Sequence, residues 1–96
     1  MNKFKALLFG LYEETIVLHT DDRYYPNKAI GTIINRCLID DIEIIKIQHV
    51  YRYPSINKEL ISVDITLRVS RKEKHKLEYL KKLLLSDNVH MDIKEN

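Results

Sequence analysis

The sequence predicts an α+β fold in which four antiparallel strands form one sheet and two helices lie on one of its faces. Three observations carry this prediction. A chain of 96 residues is enough for one domain and too short for a second core. Apolar spacings of two and of about 3.6 residues follow one another in the order strand, helix, strand, strand, helix, strand. This order, βαββαβ, is that of a ferredoxin-like sandwich, in which each βαβ half crosses over with right-handed sense.

The composition is that of a globular protein and excludes several other classes. Apolar residues make up 45% and charged residues 31% of the chain, which argues against disorder. No apolar run reaches the roughly 20 residues that cross a bilayer. The net charge of +2 gives no strong nucleic-acid signal. A single cysteine, Cys37, cannot form an internal disulfide and indicates a reducing compartment, the cytoplasm.

The chain divides into a short amphipathic lead, residues 1–12, and one domain, residues 13–96. In the lead, the apolar residues fall at helical spacing and line one face: Phe4, Leu7, Leu8 and Leu11. Residues 14–20 are rich in β-branched side chains and predict the first strand. Its three consecutive apolar residues, Ile16 to Leu18, indicate a strand covered on both faces.

A turn at residues 21–27 leads into the first helix. Pro26 disfavours a helical conformation for the residue before it, so the helix cap is Asn27, or Tyr25 with Pro26 at the first helical position. The apolar stripe that follows predicts an amphipathic helix ending at Asp40 and Asp41: Ile30, Ile33, Ile34, Cys37 and Leu38.

Two strands follow, joined by a short turn that predicts antiparallel pairing. The first covers residues 43–53, and its alternation changes phase near Ile44 and Ile45, which indicates a bulge or the true start of the strand. The second covers residues 60–69 and alternates throughout, with one face predicted to meet the helices: Ile61, Val63, Ile65, Leu67 and Val69.

The last helix and strand complete the order. Ser70 and Glu73 have the spacing of a capping box, which predicts that the helix begins there and runs to about Leu85. Its core stripe is Leu77, Leu80 and Leu84. Val89, Met91 and Ile93 alternate with polar residues and predict a short final strand. The first and third strands are expected in the middle of the sheet.

The segment from Ile61 to the end of the chain resembles the soluble C-terminal domain of MgtC/SapB-type membrane proteins, and the whole arrangement is similar to ACT-type regulatory domains. The shared pattern is an alternating strand, then a helix whose end, Leu83 and Leu84, returns through Val89 to the last strand. The lead resembles the tail that joins such a domain to its last membrane helix. The membrane helices of that family are absent, so the link requires an excised domain or a stand-alone relative.

The resemblance implies a site at the turn after the first strand, where ACT-like domains bind effectors or partners. Its candidate residues are Asp22, Tyr24, Tyr25 and Asn27. The chain departs from the amino-acid-binding form of this turn because no glycine follows Pro26. A homodimer is expected through the sheet edges or the open sheet face, with Val17, Val50 and Arg52 at the interface; the alternative is a solvated face.

Other candidate sites have ordinary structural explanations. His19 and His90 lie on strands predicted to be neighbours, and with Asp92 they form a conceivable metal site, but partly exposed histidines are the simpler interpretation. No metal or other cofactor is therefore assigned. Cys37 on the apolar helix face predicts an inert buried thiol. The basic residues around the second helix predict a solvated face or weak attraction to anionic lipid or nucleic acid.

Two functional hypotheses follow, and neither is an enzyme, because no nucleophile, base or metal spacing is present. The first is a cytoplasmic regulatory or assembly module that dimerises and senses a small ligand or modulates a membrane protein. The second is a small protein-binding inhibitor or accessory factor, such as phages and mobile elements encode, acting through Tyr24, Tyr25 and the charged helix surface.

Overall fold

The predicted α+β ferredoxin-like arrangement is confirmed. The computed structural model describes residues 10–21 and 23–95. The strands are β1 (Leu11–His19), β2 (Glu43–Arg52), β3 (Glu59–Ser70) and β4 (Met91–Glu95). The helices are α1 (Asn27–Asp40) and α2 (Lys74–Ser86), and one 3₁₀ turn (Arg71–Glu73) precedes α2. Most of the predicted lead and the candidate site residue Asp22 lie outside the described residues.

The four strands form one antiparallel sheet in the order β2-β3-β1-β4, so the first and third strands are central as predicted. Strands β1 and β3 pair without interruption from Leu11 opposite Ser70 to His19 opposite Ser62. The edges are unequal: β2 has ten residues and β4 has five. No other described strand pairs with the outer side of either one. None of the described helices has the length and apolar content needed to span a membrane.

The hydrophobic core lies between the sheet and the two helices. Alternate residues of the central strands face the helices and are almost fully buried: Ile16, Leu18, Val63, Ile65 and Leu67. The helices bury one stripe each, Ala29, Ile33 and Cys37 on α1 and Leu77, Leu80 and Leu84 on α2. The apolar spacings in the sequence therefore explain the core: the apolar stripe of each helix packs on the face of the sheet that carries the alternating apolar residues of β1 and β3.

Two irregularities interrupt the pairing of β2 with β3. The first lies between Ile44 and Lys46 and confirms the predicted bulge. The second corrects the prediction of unbroken alternation in β3: Val50 lies opposite Ser62 while Tyr51 lies opposite Leu60, so Ile61 is the extra residue. A bulge re-aims its side chain. Ile61 accordingly lines a groove with Val50 and does not belong to the buried core.

The predicted caps are wrong at both helices. The side chain of Ser70 makes no capping hydrogen bond, and the Glu73 carboxylate contacts Lys76 Nζ at 2.9 Å. The 3₁₀ turn occupies the place of the capping box. Helix α1 begins at Asn27 with Pro26 before it, and no side chain caps it. Pro26 is fully buried, so packing of its ring and its fixed φ define this helix start.

Buried charges are paired on both faces of β1. On the helix side, Glu14 accepts a hydrogen bond from the Tyr12 hydroxyl at 2.6 Å and pairs with Lys81 of α2 at 2.8 Å. On the other side, the Arg68 guanidinium joins Glu13 at 2.8 Å and Glu43 at 3.4 Å. These pairs satisfy carboxylates that would otherwise be costly to bury.

Candidate functional site

The turn between β1 and α1 has a defined backbone and exposed aromatic side chains. Asp21 and Tyr24 exchange backbone hydrogen bonds of 3.2 and 3.3 Å, and the Asn27 amide donates to the Tyr25 carbonyl at 2.8 Å. The side chains of Tyr24 and Tyr25 are 45% and 40% exposed. Three of the four predicted site residues therefore lie together on this turn, and their assignment as a ligand or partner site stays a prediction.

The side chain of Tyr25 reaches from this turn to the edge strand β2. Its hydroxyl lies 2.7 Å from His49 Nε2, and the two rings are stacked with centroids 5.9 Å apart and planes 9° apart. His49 was not among the candidate site residues. The contact joins residues 24 positions apart, which no local sequence pattern reports.

The predicted dimer residues occupy two separate places. Val17 of β1 and Val50 of β2 lie on the sheet face opposite the helices, where with Ile61 of β3 they line a groove of about 320 Å³. Val17 is already only 7% exposed, so covering it would bury little additional area. Arg52 lies at the end of β2 and pairs with Glu59 at 2.9 Å. The structure thus places the two valines along one groove and leaves Arg52 at the sheet edge.

Polar residues surround one end of this groove. His19 Nε2 lies 2.7 Å from Asp92 Oδ2, and the rings of His19 and His90 have centroids 4.6 Å apart. The three side chains are therefore neighbours, as the strand order predicts. Within residues 10–21 and 23–95, no three or more metal-ligating side chains are grouped so that they could hold a metal ion.

Cys37 has the environment of a structural thiol. It is 3% exposed in the core, and burial, with a smaller contribution from the Asp40 carboxylate, raises its pKa from 9.0 to about 11. The thiolate is the nucleophilic form of cysteine, and a raised pKa disfavours it at neutral pH. The prediction of a buried thiol is confirmed.

Three of the lysines on α2 are engaged within the chain. The Lys74 ammonium lies 4.3 Å from the centre of the Tyr12 ring. Lys76 contacts Glu73 at 2.9 Å, and Lys81 contacts Glu14 and Glu78 at 2.8 Å each. These contacts reduce the positive potential that α2 offers to a polyanion.

Comparison with solved structures places the fold beside known proteins. The C-terminal domain of the MgtC protein from Mycobacterium tuberculosis is similar with a TM-score of 0.62 and 18% identity, over 91% of this chain and 89% of that one. The de novo designed protein Foldit4 is similar with a TM-score of 0.62 and 13% identity, over 90% of this chain and 96% of that one.

A larger protein contains a similar part. Prephenate dehydratase from Streptococcus mutans matches with a TM-score of 0.55 and 12% identity, over 85% of this chain and 40% of that protein. No protein-family model and no curated protein sequence matches the chain. The similarity predicted from the sequence, to ACT-like domains and to the C-terminal domain of MgtC-type proteins, is confirmed as a similarity of fold.

Proposed function

We propose that this protein is a non-catalytic regulatory or assembly module with an ACT-like fold. It acts in the cytoplasm as a dimer and responds to a small ligand bound at the turn between β1 and α1. A membrane protein is one target that the similarity to MgtC suggests. The observation that carries the proposal is the contact of Tyr25 with His49, because it couples an exposed turn to an exposed sheet edge.

The proposed mechanism uses that contact as the connection between ligand and partner. A ligand that packs on Tyr24 and Tyr25 competes with His49 for the Tyr25 hydroxyl and moves the stacked ring. His49 lies on β2, so the surface offered by this edge then changes. Such a ligand shifts the assembly equilibrium only as far as it binds the two arrangements with different affinities.

The test combines light scattering with thermal denaturation. The twenty protein amino acids serve as probes at about 1 mM, a concentration that reveals the weak binding typical of metabolite sensors. We expect a dimer, and at least one probe that raises the melting temperature. Tyr25→Ala should abolish this shift. Tyr53→Ala is the matched control, because Tyr53 is a tyrosine that is 68% exposed and follows Arg52, the last residue of β2. A strict monomer that no probe stabilises would contradict the proposal.

A second candidate function is a protein-binding inhibitor or accessory factor. The exposure of Tyr24 and Tyr25 favours it, because exposed tyrosines are frequent anchors of protein interfaces. Under this alternative, amino acids leave the melting temperature unchanged. A purified partner protein then protects both tyrosines from chemical modification, and Tyr24→Ala weakens its binding.

A further inference from the structure

We infer that the sheet face opposite the helices binds a short aliphatic diamine, with one ammonium group at Asp64 and the other at Asp92. The site is the groove of about 320 Å³ whose apolar lining is Val17, Val50 and Ile61. The inference goes beyond the proposed function, because no residue that lines this groove belongs to the turn between β1 and α1. Three features carry it: the apolar floor, the placement of the two carboxylates, and the oxygens that they keep for a ligand.

The groove has an apolar floor on a face that is otherwise mostly polar. On β3, the residues that alternate with the core positions are Ser62, Asp64 and Thr66. The bulge adds Ile61 to this face, where it lines the groove together with Val50, and both side chains are partly exposed. Bulges are over-represented next to active sites, where they re-aim a side chain. A ligand with an apolar body suits such a floor.

Two carboxylates lie on opposite sides of this floor. In the strand register, Val17 of β1 lies opposite Asp64 of β3 on one side and opposite Asp92 of β4 on the other. Adjacent strands are about 4.8 Å apart, so the Cα atoms of the two aspartates are about 10 Å apart. On β2 this row ends at Gln48, opposite Asp64, and adds no charge. The groove therefore has a negative group on each side of an apolar centre.

Each carboxylate keeps an oxygen for a ligand. Asp92 Oδ2 lies 2.7 Å from His19 Nε2, and Asp64 Oδ1 accepts a hydrogen bond from the Ser62 hydroxyl at 2.8 Å. These contacts orient the two side chains and use one oxygen of each. The Asp92 side chain is 73% exposed and Asp64 is partly exposed, so a ligand reaches both from solvent.

The separation of the carboxylates selects the length of the ligand. An ammonium group donates to a carboxylate oxygen at about 2.8 Å. With one such bond at each end of a gap of about 10 Å, about 4–6 Å remains between the two nitrogen atoms. A short alkyl chain spans this interval, as in putrescine, and it then lies over Val17 with Val50 and Ile61 beside it.

A metal ion or a single amine matches these residues less well. A Ca²⁺ ion lies about 2.3–2.6 Å from its ligands, so one ion does not contact two carboxylates on opposite sides of Val17. A single amine engages one carboxylate at a time, and one exposed ion pair contributes little to binding. Two linked ammonium groups engage both carboxylates together, and the second contact is then intramolecular.

Lys94 opposes a dication, and its effect has the opposite sign to that of Asp64. Its side chain lines the groove, and on β4 it lies opposite Thr15, two residues from Asp92. The Lys94 ammonium group repels the ligand and competes with it for Asp92. Removal of the Lys94 charge should therefore tighten binding, whereas removal of the Asp64 charge should weaken it.

The test measures the dissociation constant of putrescine by NMR titration of the ¹⁵N-labelled chain. At a salt concentration of about 0.15 M, charges more than about 8 Å apart are largely screened. We expect a dissociation constant below about 1 mM, with amide shifts centred on Val17, Asp64 and Asp92. Butylamine carries one ammonium group on the same alkyl chain and resembles the end of a lysine side chain. It should bind at least about tenfold more weakly, because it engages one carboxylate.

Variants separate the groove from the net charge of the protein. Asp64→Asn keeps an acceptor for the Ser62 hydroxyl and should weaken putrescine binding by at least about tenfold, to the affinity of butylamine. Lys94→Gln should tighten putrescine binding. Asp87→Asn and Lys82→Gln make the same charge changes at α2, on the other side of the sheet, and should change the dissociation constant by less than about twofold. Circular dichroism establishes that all four variants are folded.

The outcomes decide the proposal without deciding the proposed function. Equal affinity for putrescine and butylamine shows that the second carboxylate is not used, and it overturns the site. An effect of Asp64→Asn no larger than that of Asp87→Asn reveals nonspecific attraction to a negative charge, and it also overturns the site. Both results leave the turn that carries Tyr24 and Tyr25 untouched, because the amino-acid probes test that turn separately.

Discussion

Glu14 is an acidic residue on the core side of the sheet, and its two contacts explain how it is tolerated. The Tyr12 hydroxyl donates to one carboxylate oxygen and Lys81 pairs with the other. Burial lowers the pKa of Lys81, but the hydrogen bonds and charges of Glu14 and Glu78 outweigh burial and raise it. Burial and the bond to Glu14 also raise the pKa of Tyr12. These raised pKa values favour the protonated forms of Lys81 and Tyr12, which are the forms that bind the Glu14 carboxylate.

Glu14→Gln should destabilise the fold by about 2–4 kcal/mol, because it leaves a mostly buried ammonium without its buried counter-charge. Glu78→Gln removes the other carboxylate on Lys81, which is 53% exposed, and should cost less than about 1 kcal/mol. Urea denaturation of both variants measures the difference. Equal losses would show that the buried pair has no special role.

At the scale of elements, the sequence predicts the stretches that a repeating apolar pattern defines, with ends shifted by a few residues. β1 begins at Leu11, three residues before the predicted start at residue 14. Its first residues include Glu13, a charged residue that is buried and pairs with Arg68, so no apolar pattern marks this part of the strand. The bulge at Ile61 and the 3₁₀ turn after Ser70 depend on how neighbouring elements meet. Local sequence signals such as a capping box do not contain that information.

The end of α1 offers a test of backbone conformation. Asp41 adopts a left-handed conformation, with φ of 56° and ψ of 47°. Glycine has no Cβ and adopts this conformation readily, and the negative end of the helix dipole disfavours a carboxylate here. Asp41→Gly should therefore raise the unfolding free energy by about 0.5–1 kcal/mol in denaturant titrations. A control substitution, Asp40→Gly, removes the ion pair with Arg36 within the helix and should destabilise it. A loss of stability in Asp41→Gly would contradict this explanation.

For the molecule as a whole, the candidate site was only partly predictable from the sequence. The turn carrying Tyr24 and Tyr25 was identified from residue types and from the resemblance to ACT-like domains. The contact with His49 depends on how that turn folds back over β2, and the separation of Val17 from Arg52 depends on the sheet edge. Both are results of tertiary packing.

The stability of the whole molecule should fall in alkaline solution. Cys37, Tyr12 and Lys81 all have pKa values raised by the fold. A raised folded-state pKa gives stability that is complete below the unfolded pKa and is lost as pH rises through the folded value. For Cys37 this window runs from pH 9.0 to about 11 and corresponds to about 2–3 kcal/mol.

Denaturant titrations in reducing buffer should show an unfolding free energy that changes little between about pH 7 and pH 8 and declines above about pH 9, because the Cys37 thiol of the unfolded chain ionises with a pKa of 9.0. Cys37→Ala, compared with its own value at pH 7, should decline less between pH 9.0 and about 11. A wild-type stability that rises over that interval would contradict the assignment.

The inequality of the two sheet edges has a consequence for solubility. A molecule with two equally adhesive edges can add neighbours at both ends and grow into ribbons without limit. Here β4 is short and carries Asp92, Lys94 and Glu95, whereas β2 is long and apolar in part. Strand addition at both edges at once is therefore disfavoured, and concentrated solutions should remain free of fibrils.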